Sequence, residues 1–488
     1  MEDREVTYLR CPELLICRRL LESASLKILR RATKSMRCLV GIDDTDSRFG
    51  QCTTQLGFRI VRALRKDGCL FEKYPRLVRL NPNIPFKTRG NAAVCIEFDC
   101  GDPDWAFKAA TELMLRDADV RHGANPGLVF LKGRPPAEFR QLYLRAVSGL
   151  LNYRHVLRFL DQNRLKHSTS GNGMGVVGAT ASIGFRPSDD HTYELIAYRS
   201  SRMCGKPRVV NPESVKRMER VTFPHTFNSF DYFTGRVLIT PHGPDPVFLG
   251  IRADSPDVAL SAFRMVEYSE RLVGHIIYLS NQCTDAHLAG RIRLPPRAYD
   301  CGWEEGVVGS VVSGQGGHLF FDLSIESRDL SCAIYEPARD LRRMAAYLRR
   351  GDRVRVFGGV RRPSSKHGPT LNVEKLEVIS IAPATRTVNP TCKLCGSRMK
   401  SEGNGKGFQC RRCGARSQIR SRSIDLMERR LTPGIYLPSA GSQRHLTKQL
   451  VRYGRERSGQ EALVEGWLSE SPHPIATSDE GTQSIRQV

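Results

Sequence analysis

The chain has 488 residues, with 75 Lys and Arg against 51 Asp and Glu and a formal net charge of +24. That length exceeds what one hydrophobic core organises, so several domains are expected, and the cationic surplus favours a polyanionic partner such as nucleic acid. An apolar run of about eighteen residues and a secretory leader pattern are both lacking, which argues against a membrane and for the cytoplasm. The 15 cysteines, four of them paired near the C-terminus, do not form a disulfide framework.

Residues 1–35 are rich in Arg and Leu and precede Met36; they read as a flexible extension or an over-called start. The apolar run Cys38 to Ile42 predicts a strand. Beyond an acidic motif, Leu56, Ile60 and Leu64 recur at helical spacing until Gly68, which places a helix from about residue 54 with Thr53 or Thr54 as its N-cap. Strands are expected near Leu77 to Leu80 and Ala93 to Phe98, on either side of a Pro- and Asn-rich loop. Helical patterns follow at about 105–116 and 136–163, leading into a glycine-rich turn at Gly171 to Gly178 and a small-residue helix.

Between 235 and 280 the expected order is strand Arg236 to Thr240, strand Val247 to Ala253, a helix at about 256–268 and strand His275 to Leu279, which suits a ferredoxin-like layer. From Gly306, strands at Val307 to Val312, His318 to Ile325 and Leu330 to Tyr335, a helix at 337–349, and strands at Arg353 to Val360 and Thr370 to Ile381 have the order of an OB-fold. The last sixty or so residues read as a polar, basic tail with marginal helices.

Cys392 and Cys395, then Cys410 and Cys413, offer two thiolate pairs at zinc-ribbon spacing, a closed and therefore structural Zn²⁺ site. Asp43, Asp44 and Asp46 leave the end of an apolar strand just before Thr53. Carboxylates there can hold Mg²⁺, and a helix start attracts phosphate; an Asp-rich turn with a capping threonine fits the same residues. Gly171, Gly173 and Gly175 permit close backbone approach, yet no Walker Lys-Ser/Thr ending follows. His242 is either an acid or base or a turn residue between prolines. Cys283 near His287 lacks the third group that an activated thiol needs.

The motif order resembles one family, the archaeal 2-agmatinylcytidine synthetases that act on the minor isoleucine tRNA with a CAU anticodon. The resemblance rests on Gly41-Ile42-Asp43-Asp44-Thr45-Asp46-Ser47 with Gly50 to Thr54, Arg79 to Pro85 with Lys87 to Asn91, and the glycine loop. It continues through Tyr193 to Arg199, Gly235 to Val247, Asn281-Gln282 with Thr284 to Leu288, the OB-like segment and the ribbon. Val176-Val177 and Ile277 to Ser280 depart from the familiar residues, and nothing in the family pattern corresponds to residues 1–35.

The resemblance implies an α+β multidomain fold with a kinase-like α/β domain at 36–200, interleaved with a ferredoxin-like domain at 201–300. An OB-fold at 301–384, a zinc ribbon at 385–425 and the tail at 426–488 complete it. It implies an ATP-dependent ligase that phosphorylates the C2 oxygen of the wobble cytidine and replaces it with agmatine, with ATP and Mg²⁺ as cofactors. Asp43, Asp44 and Asp46 are then metal and phosphate residues and Thr53 the threonine that becomes phosphorylated. Thr45, Ser47, Thr54, Lys87, Arg89, Gly171, Gly173 and Gly175 are the remaining ATP or phosphate candidates. A dicationic amine calls for carboxylates and carbonyls, so Asn228, Asp231, His242, Asp245, Asn281, Gln282 and Asp285 are the agmatine candidates. The alternatives are a non-catalytic tRNA-binding factor, or related chemistry with a different amine.

Overall fold

The computed structural model describes residues 35–88, 90–364, 368–419 and 422–470. The chain divides into two units: Gly290 and the residues before it, with Tyr299–Cys301 and the segment from Arg444, form the first, and Arg291–Ala298 with Gly302–Gln443 form the second.

In the first unit, β1 (Met36–Asp43), α1 (Thr53–Lys66), β2 (Arg76–Arg79), β3 (Ala92–Cys100), α2 (Pro103–Asp117) and β4 (Gly127–Lys132) come first. They are followed by α3 (Ala137–Ser148), α4 (Tyr153–Gln162), β5 (Lys166–Thr169) and α5 (Gly175–Ile183). Then come β6 (Thr192–Arg199), α6 (Pro212–Thr222), a short hairpin of β7 (Phe230–Asp231) and β8 (Arg236–Val237), β9 (Val247–Ala253), α7 (Pro256–Met265) and β10 (Leu272–Ser280). The kinase-like and ferredoxin-like parts share one continuous sheet in the order β5-β4-β1-β3-β2-β10-β6-β9. The seam is the parallel pairing of β10 with β2, Leu279 opposite Arg76 and Ser280 opposite Leu77.

The helix expected from the four-residue spacing is α1, and Leu56, Ile60 and Leu64 are buried on the sheet with Phe58 and Val61. Its cap differs from expectation: Cys52 is the N-cap, with no side-chain cap bond, and Thr53 and Thr54 lie inside the first turn. The expected strand at 236–240 shrinks to β8, because the Leu238 N–H turns to the Ser229 carbonyl and the Ile239 carbonyl to the Gly250 N–H. β4, β5, β6 and α6 have no counterpart among the expected elements.

The second unit holds β11 (Cys301–Ser313), β12 (Leu319–Ile325), β13 (Arg328–Ile334), α8 (Asp340–Ala345), β14 (Arg353–Arg361) and β15 (Thr370–Ser380). They are ordered β13-β12-β11-β14-β15, and a parallel β13–β15 pairing closes the barrel as an OB-fold requires. The helix is shorter than the expected 337–349, starting only after Arg339, whose φ is 41°. Beyond the barrel, β16 (Ala384–Val388) pairs with β20 (Ser423–Met427), flanking the three small ribbon strands β17 (Lys400–Ser401), β18 (Phe408–Gln409) and β19 (Arg416–Ser417).

The expected tail is not a tail within the described residues. β21 (Gly434–Tyr436) adds to the barrel sheet beside β15. Residues from Arg444 on belong to the first unit, where β22 (Leu468–Ser469) pairs with β10. The physical reason is burial: Leu446, Arg452 and Trp467 are all buried there, and the Arg452 side chain is fully enclosed. The expectation for residues 1–34 falls outside the described residues. Among those described, no helix is long and apolar enough to cross a membrane.

Candidate functional site

A cleft of about 410 Å³ opens in the first unit where β1 ends. Asp43, Asp44 and Asp46 line it together with Cys52, Thr53 and Thr54 at the start of α1. Two short bonds fix the link between strand end and helix: the Thr45 and Thr53 hydroxyls lie 3.0 Å apart, and the Asp44 N–H donates to Asp43 Oδ1 at 2.8 Å. Because no side chain caps α1, the N–H groups of Thr53, Thr54 and Gln55 have no protein acceptor among the described residues. An uncapped helix start facing a cleft is an anion site.

The glycine loop works differently from the cradle that its composition suggested. Its amides already have acceptors: Asn172 N–H donates to Asn125 Oδ1 at 3.0 Å, Gly175 N–H to the Asn125 carbonyl at 2.9 Å, and Val176 N–H to the Gly173 carbonyl at 3.1 Å. Gly171 and Gly173 do not line the cleft, while Gly175 does so beside Met174. The glycines instead let α5 press on β1: a Cβ on Gly178 would stand 1.8 Å from Asp43 Oδ2. Asn125 joins this packing to the chemistry, since its hydrogen bonds to Asp44 lower that carboxyl's pKa.

Crowding of carboxylates shapes the acidic end. Burial first, and then the Asp46 charge, push Asp44 up to about 6, while burial and Asp44 hold Asp43 well above the usual carboxylate range. A divalent cation would relieve both effects, and three oxygen-donor side chains at a strand end suit Mg²⁺.

The opposite wall is cationic. Arg79, Lys87 and Arg252 line the cleft with Glu194, whose carboxylate lies 3.9 Å from Arg79 and 3.6 Å from Arg252. His445 completes that wall from the returning C-terminal segment.

Other candidates divide by position. Lys87 and Thr54 line the cleft; Thr45 lies behind it on Thr53, and Ser47 donates to Asp119 Oδ2 at 2.5 Å. Arg89 lies outside the described residues. His242 and Asp245 line the cleft; His242 Nε2 sits 2.6 Å from Arg236, and Asp245 Oδ1 accepts the Val247 N–H at 3.1 Å and lies 3.4 Å from Arg208.

Asn228 and Asp231 do not line the cleft; Asp231 Oδ1 accepts the Phe233 N–H at 3.0 Å in the β7–β8 turn. Asn281 is a main-chain clamp, accepting the Arg79 N–H at 2.7 Å and donating to the Arg79 carbonyl at 2.9 Å. The Gln282 amide donates to Glu194, and Asp285 Oδ1 accepts the Lys448 N–H at 2.8 Å. Cys283 is buried and its thiol is raised by that burial, the opposite of a nucleophile. Asn281, Gln282 and Asp285 thus position cleft walls without lining the cleft.

In the second unit the Cys392, Cys395, Cys410 and Cys413 sulfurs all lie within 4.8 Å of one another, at 3.5 Å for Cys392 to Cys413 and 3.4 Å for Cys395 to Cys410. Those spacings are too long for disulfides and close to the roughly 3.8 Å edge of a tetrahedron with Zn–S bonds of about 2.3 Å. Four sulfurs leave no open position, so a bound Zn²⁺ would be structural.

Sequence reading passed over Arg79, Glu194 and Arg252, although the first two stand within motifs it singled out. It had no signal for His445, which lies more than 190 residues beyond the nearest other lining residue.

An open helix start over clustered carboxylates in one unit, with an OB barrel and a four-cysteine ribbon in the other, defines a class: multidomain enzymes that carry phosphate chemistry to a nucleic acid. Family models agree in detail, matching the TiaS TCKD domain at residues 39–108 and the TiaS FLD domain at 173–287. An OB-fold nucleic acid binding domain matches at 303–379 and the TiaS C-terminal zinc ribbon domain at 389–431. The isoleucine tRNA 2-agmatinylcytidine synthetase TiaS of Cenarchaeum symbiosum is 43% identical over 435 residues, covering 88% of this chain and 96% of that protein. The synthetase of the same name from Staphylothermus marinus is 39% identical, with 86% and 94% covered. A crystal structure of TiaS in complex with its isoleucine tRNA and ATP superposes with a TM-score of 0.76 at 32% identity, covering 88% of this chain and 99% of that one. A complex of TiaS with the same tRNA, AMPCPP and agmatine gives 0.73 at 30%, covering 86% and 97%. The chain belongs to the TiaS family of isoleucine tRNA 2-agmatinylcytidine synthetases.

Proposed function

We propose that this chain is an ATP-dependent ligase that joins agmatine to C2 of the wobble cytidine in the minor isoleucine tRNA with a CAU anticodon, so that the tRNA decodes AUA. The observation that carries the reading is the convergence of Asp43, Asp44, Asp46 and Thr53 on the open start of α1 in a single cleft. The family relation supports it, since related synthetases have been crystallised with isoleucine tRNA, ATP and agmatine.

A ring carbonyl oxygen is a poor leaving group, so replacing it with an amine requires its prior conversion to a phosphate ester. The α1 N–H groups, Thr53, Thr54 and Lys87 are placed to hold the transferring phosphate, with Arg79 and Arg252 balancing its charge. Asp43, Asp44 and Asp46 would hold Mg²⁺, which supplies charge neutralisation for phosphoryl transfer. On the amine side, Asp245 and His242 remain as lining groups, with Gln282 and Asn281 setting Glu194 and the Arg79 backbone behind them. The OB barrel, the ribbon and the basic surplus serve the tRNA, and a tRNA substrate supports a cytoplasmic location.

Labelled agmatine, ATP, Mg²⁺ and an isoleucine tRNA with a CAU anticodon test the reading directly. Agmatine should enter the tRNA at the wobble position and outcompete putrescine and lysine; absence of incorporation with ATP turnover intact would reject it.

A further inference from the structure

Four elements close the cationic side of the cleft: β2 with Arg79, the following loop with Lys87, β9 with Arg252, and the segment that returns from Arg444. That segment is held to the Asn281-Gln282-Cys283-Thr284-Asp285 motif through its backbone. Cys283 N–H donates to the His445 carbonyl at 2.9 Å and Asp285 N–H to the Leu446 carbonyl at 2.8 Å, while Lys448 N–H donates to Asp285 Oδ1 at 2.8 Å. The peptide groups that follow His445 are therefore fixed, and the imidazole is left to face the cleft.

Resting on the ligase reading, we propose that His445 is the residue that accepts the proton of the attacking amine when agmatine replaces the C2 phosphate. The neutral amine nitrogen bonds to C2, the C2–O bond breaks with its electron pair leaving on phosphate, and the nitrogen's surplus proton passes to a ring nitrogen of His445.

The other lining groups are committed elsewhere. Asp43, Asp44 and Asp46 form the metal and phosphate end. Glu194 accepts from Gln282 between two arginines, and Asp245 accepts the Val247 N–H beside Arg208. His242 is engaged through Nε2 with Arg236 at 2.6 Å. The His445 ring makes no hydrogen bond to any described residue, so a lone pair is available.

The charges facing His445 suit the order of events. Arg79 first, and then Arg252, Lys87 and Arg444, hold the pKa of this exposed cleft side chain well below the usual imidazole value, so the ring is neutral before substrates arrive. Glu194 offsets part of that field from β6. The same cations disfavour the ammonium form of a nearby amine, releasing the nucleophile. Arriving phosphates neutralise them, which raises the basicity of His445 at the stage when it is needed.

The test splits the two half-reactions in the full-length protein. His445→Gln and His445→Asn are compared with wild type for phosphate transfer from ATP, for agmatine incorporation across pH 6–9, and for thermal midpoint. Expected are phosphate transfer within about twofold of wild type and incorporation slowed roughly 10²–10⁴-fold, the range for losing a general base. The wild-type ionisation that governs incorporation should vanish from both variants' pH profiles. Incorporation at the wild-type rate, or equal loss of both half-reactions at an unchanged thermal midpoint, would overturn the assignment. A variant whose midpoint collapses is replaced by the other, and failure of wild type itself to incorporate agmatine would instead reject the ligase reading.

Discussion

The Thr45 and Thr53 hydroxyls sit 3.0 Å apart, tying the acidic strand end to the first turn of α1. Thr53 is therefore oriented by a neighbour in the motif instead of capping its own helix, and the helix start stays open to the cleft. Thr53→Ala should lower ATP-driven agmatine incorporation by roughly 10²-fold, the scale for losing a group that contacts developing charge. Stability should fall by only about 1 kcal/mol, the worth of one hydrogen bond. Thr53→Ser should retain most activity, and parallel incorporation and melting assays read both effects.

The acidic end makes a prediction about pH. Asp44 is raised from 3.8 to about 6, and Asp43 lies well above its usual range, chiefly through burial. Between the ordinary carboxylate value and about pH 6 the folded chain binds more protons than the unfolded one, so these groups' contribution to stability falls as pH rises through that window. Mg²⁺ bound among the carboxylates would remove the penalty. Mg²⁺ without ATP should therefore raise the melting temperature more at pH 8 than at pH 5. Equal shifts at the two pH values would contradict carboxylate ligation.

Much of the chain was legible because apolar periodicity reports burial. Leu56, Ile60 and Leu64 are core residues of α1, and the alternation in β12 from Leu319 through Phe321 to Leu323 marks the barrel interior. Among the elements that passed unread, two did so for different reasons. The apolar run Leu128 to Leu131 of β4 carries no period to separate strand from helix, whereas α6 shows Asn211 and Pro212 at its start, a cap signal that was overlooked. In the site, composition identified the carboxylates but could not tell that Asn281 holds the Arg79 backbone, because an amide reads alike as a ligand group or a clamp. Residues 444–470 looked like a polar tail because Thr447, Lys448, Gln449 and Arg452 are buried polar or charged groups, and polarity hides burial unless its partners are known.

Removal of zinc separates two activities. The four cysteines stand in the second unit and the carboxylate cleft in the first. A strong chelator, or Cys410→Ala, should weaken tRNA binding by about tenfold or more while leaving tRNA-independent ATP hydrolysis near its starting rate. Filter binding and phosphate release measured on the same preparation check this. Parallel loss of both would show that the ribbon supports the catalytic unit as well.

Arg452 decides whether the returning segment is part of the enzyme or an appendage. Its fully buried guanidinium reaches Asp190 at 2.8 Å, the Cys283 carbonyl at 2.5 Å, the His191 carbonyl at 3.2 Å and Asp254 at 3.4 Å. Arg452→Met would leave both carboxylates with partners, because Arg455 binds Asp254 at 2.5 Å with His225 Nδ1 at 3.4 Å, while Asp190 accepts the Arg457 N–H at 3.0 Å and lies 3.4 Å from Lys448. Breaking one side of a buried ion pair costs about 3–5 kcal/mol, and the surviving partners place this case near the lower end. Because Cys283 receives Arg452 on its carbonyl and gives its N–H to the His445 carbonyl, loss of the arginine loosens the support of the cleft histidine. Arg452→Met should therefore speed amide exchange over residues 444–453 and slow agmatine incorporation more than phosphate transfer from ATP. Unchanged exchange in that segment would show that the backbone bonds from Cys283 and Asp285 hold it unaided.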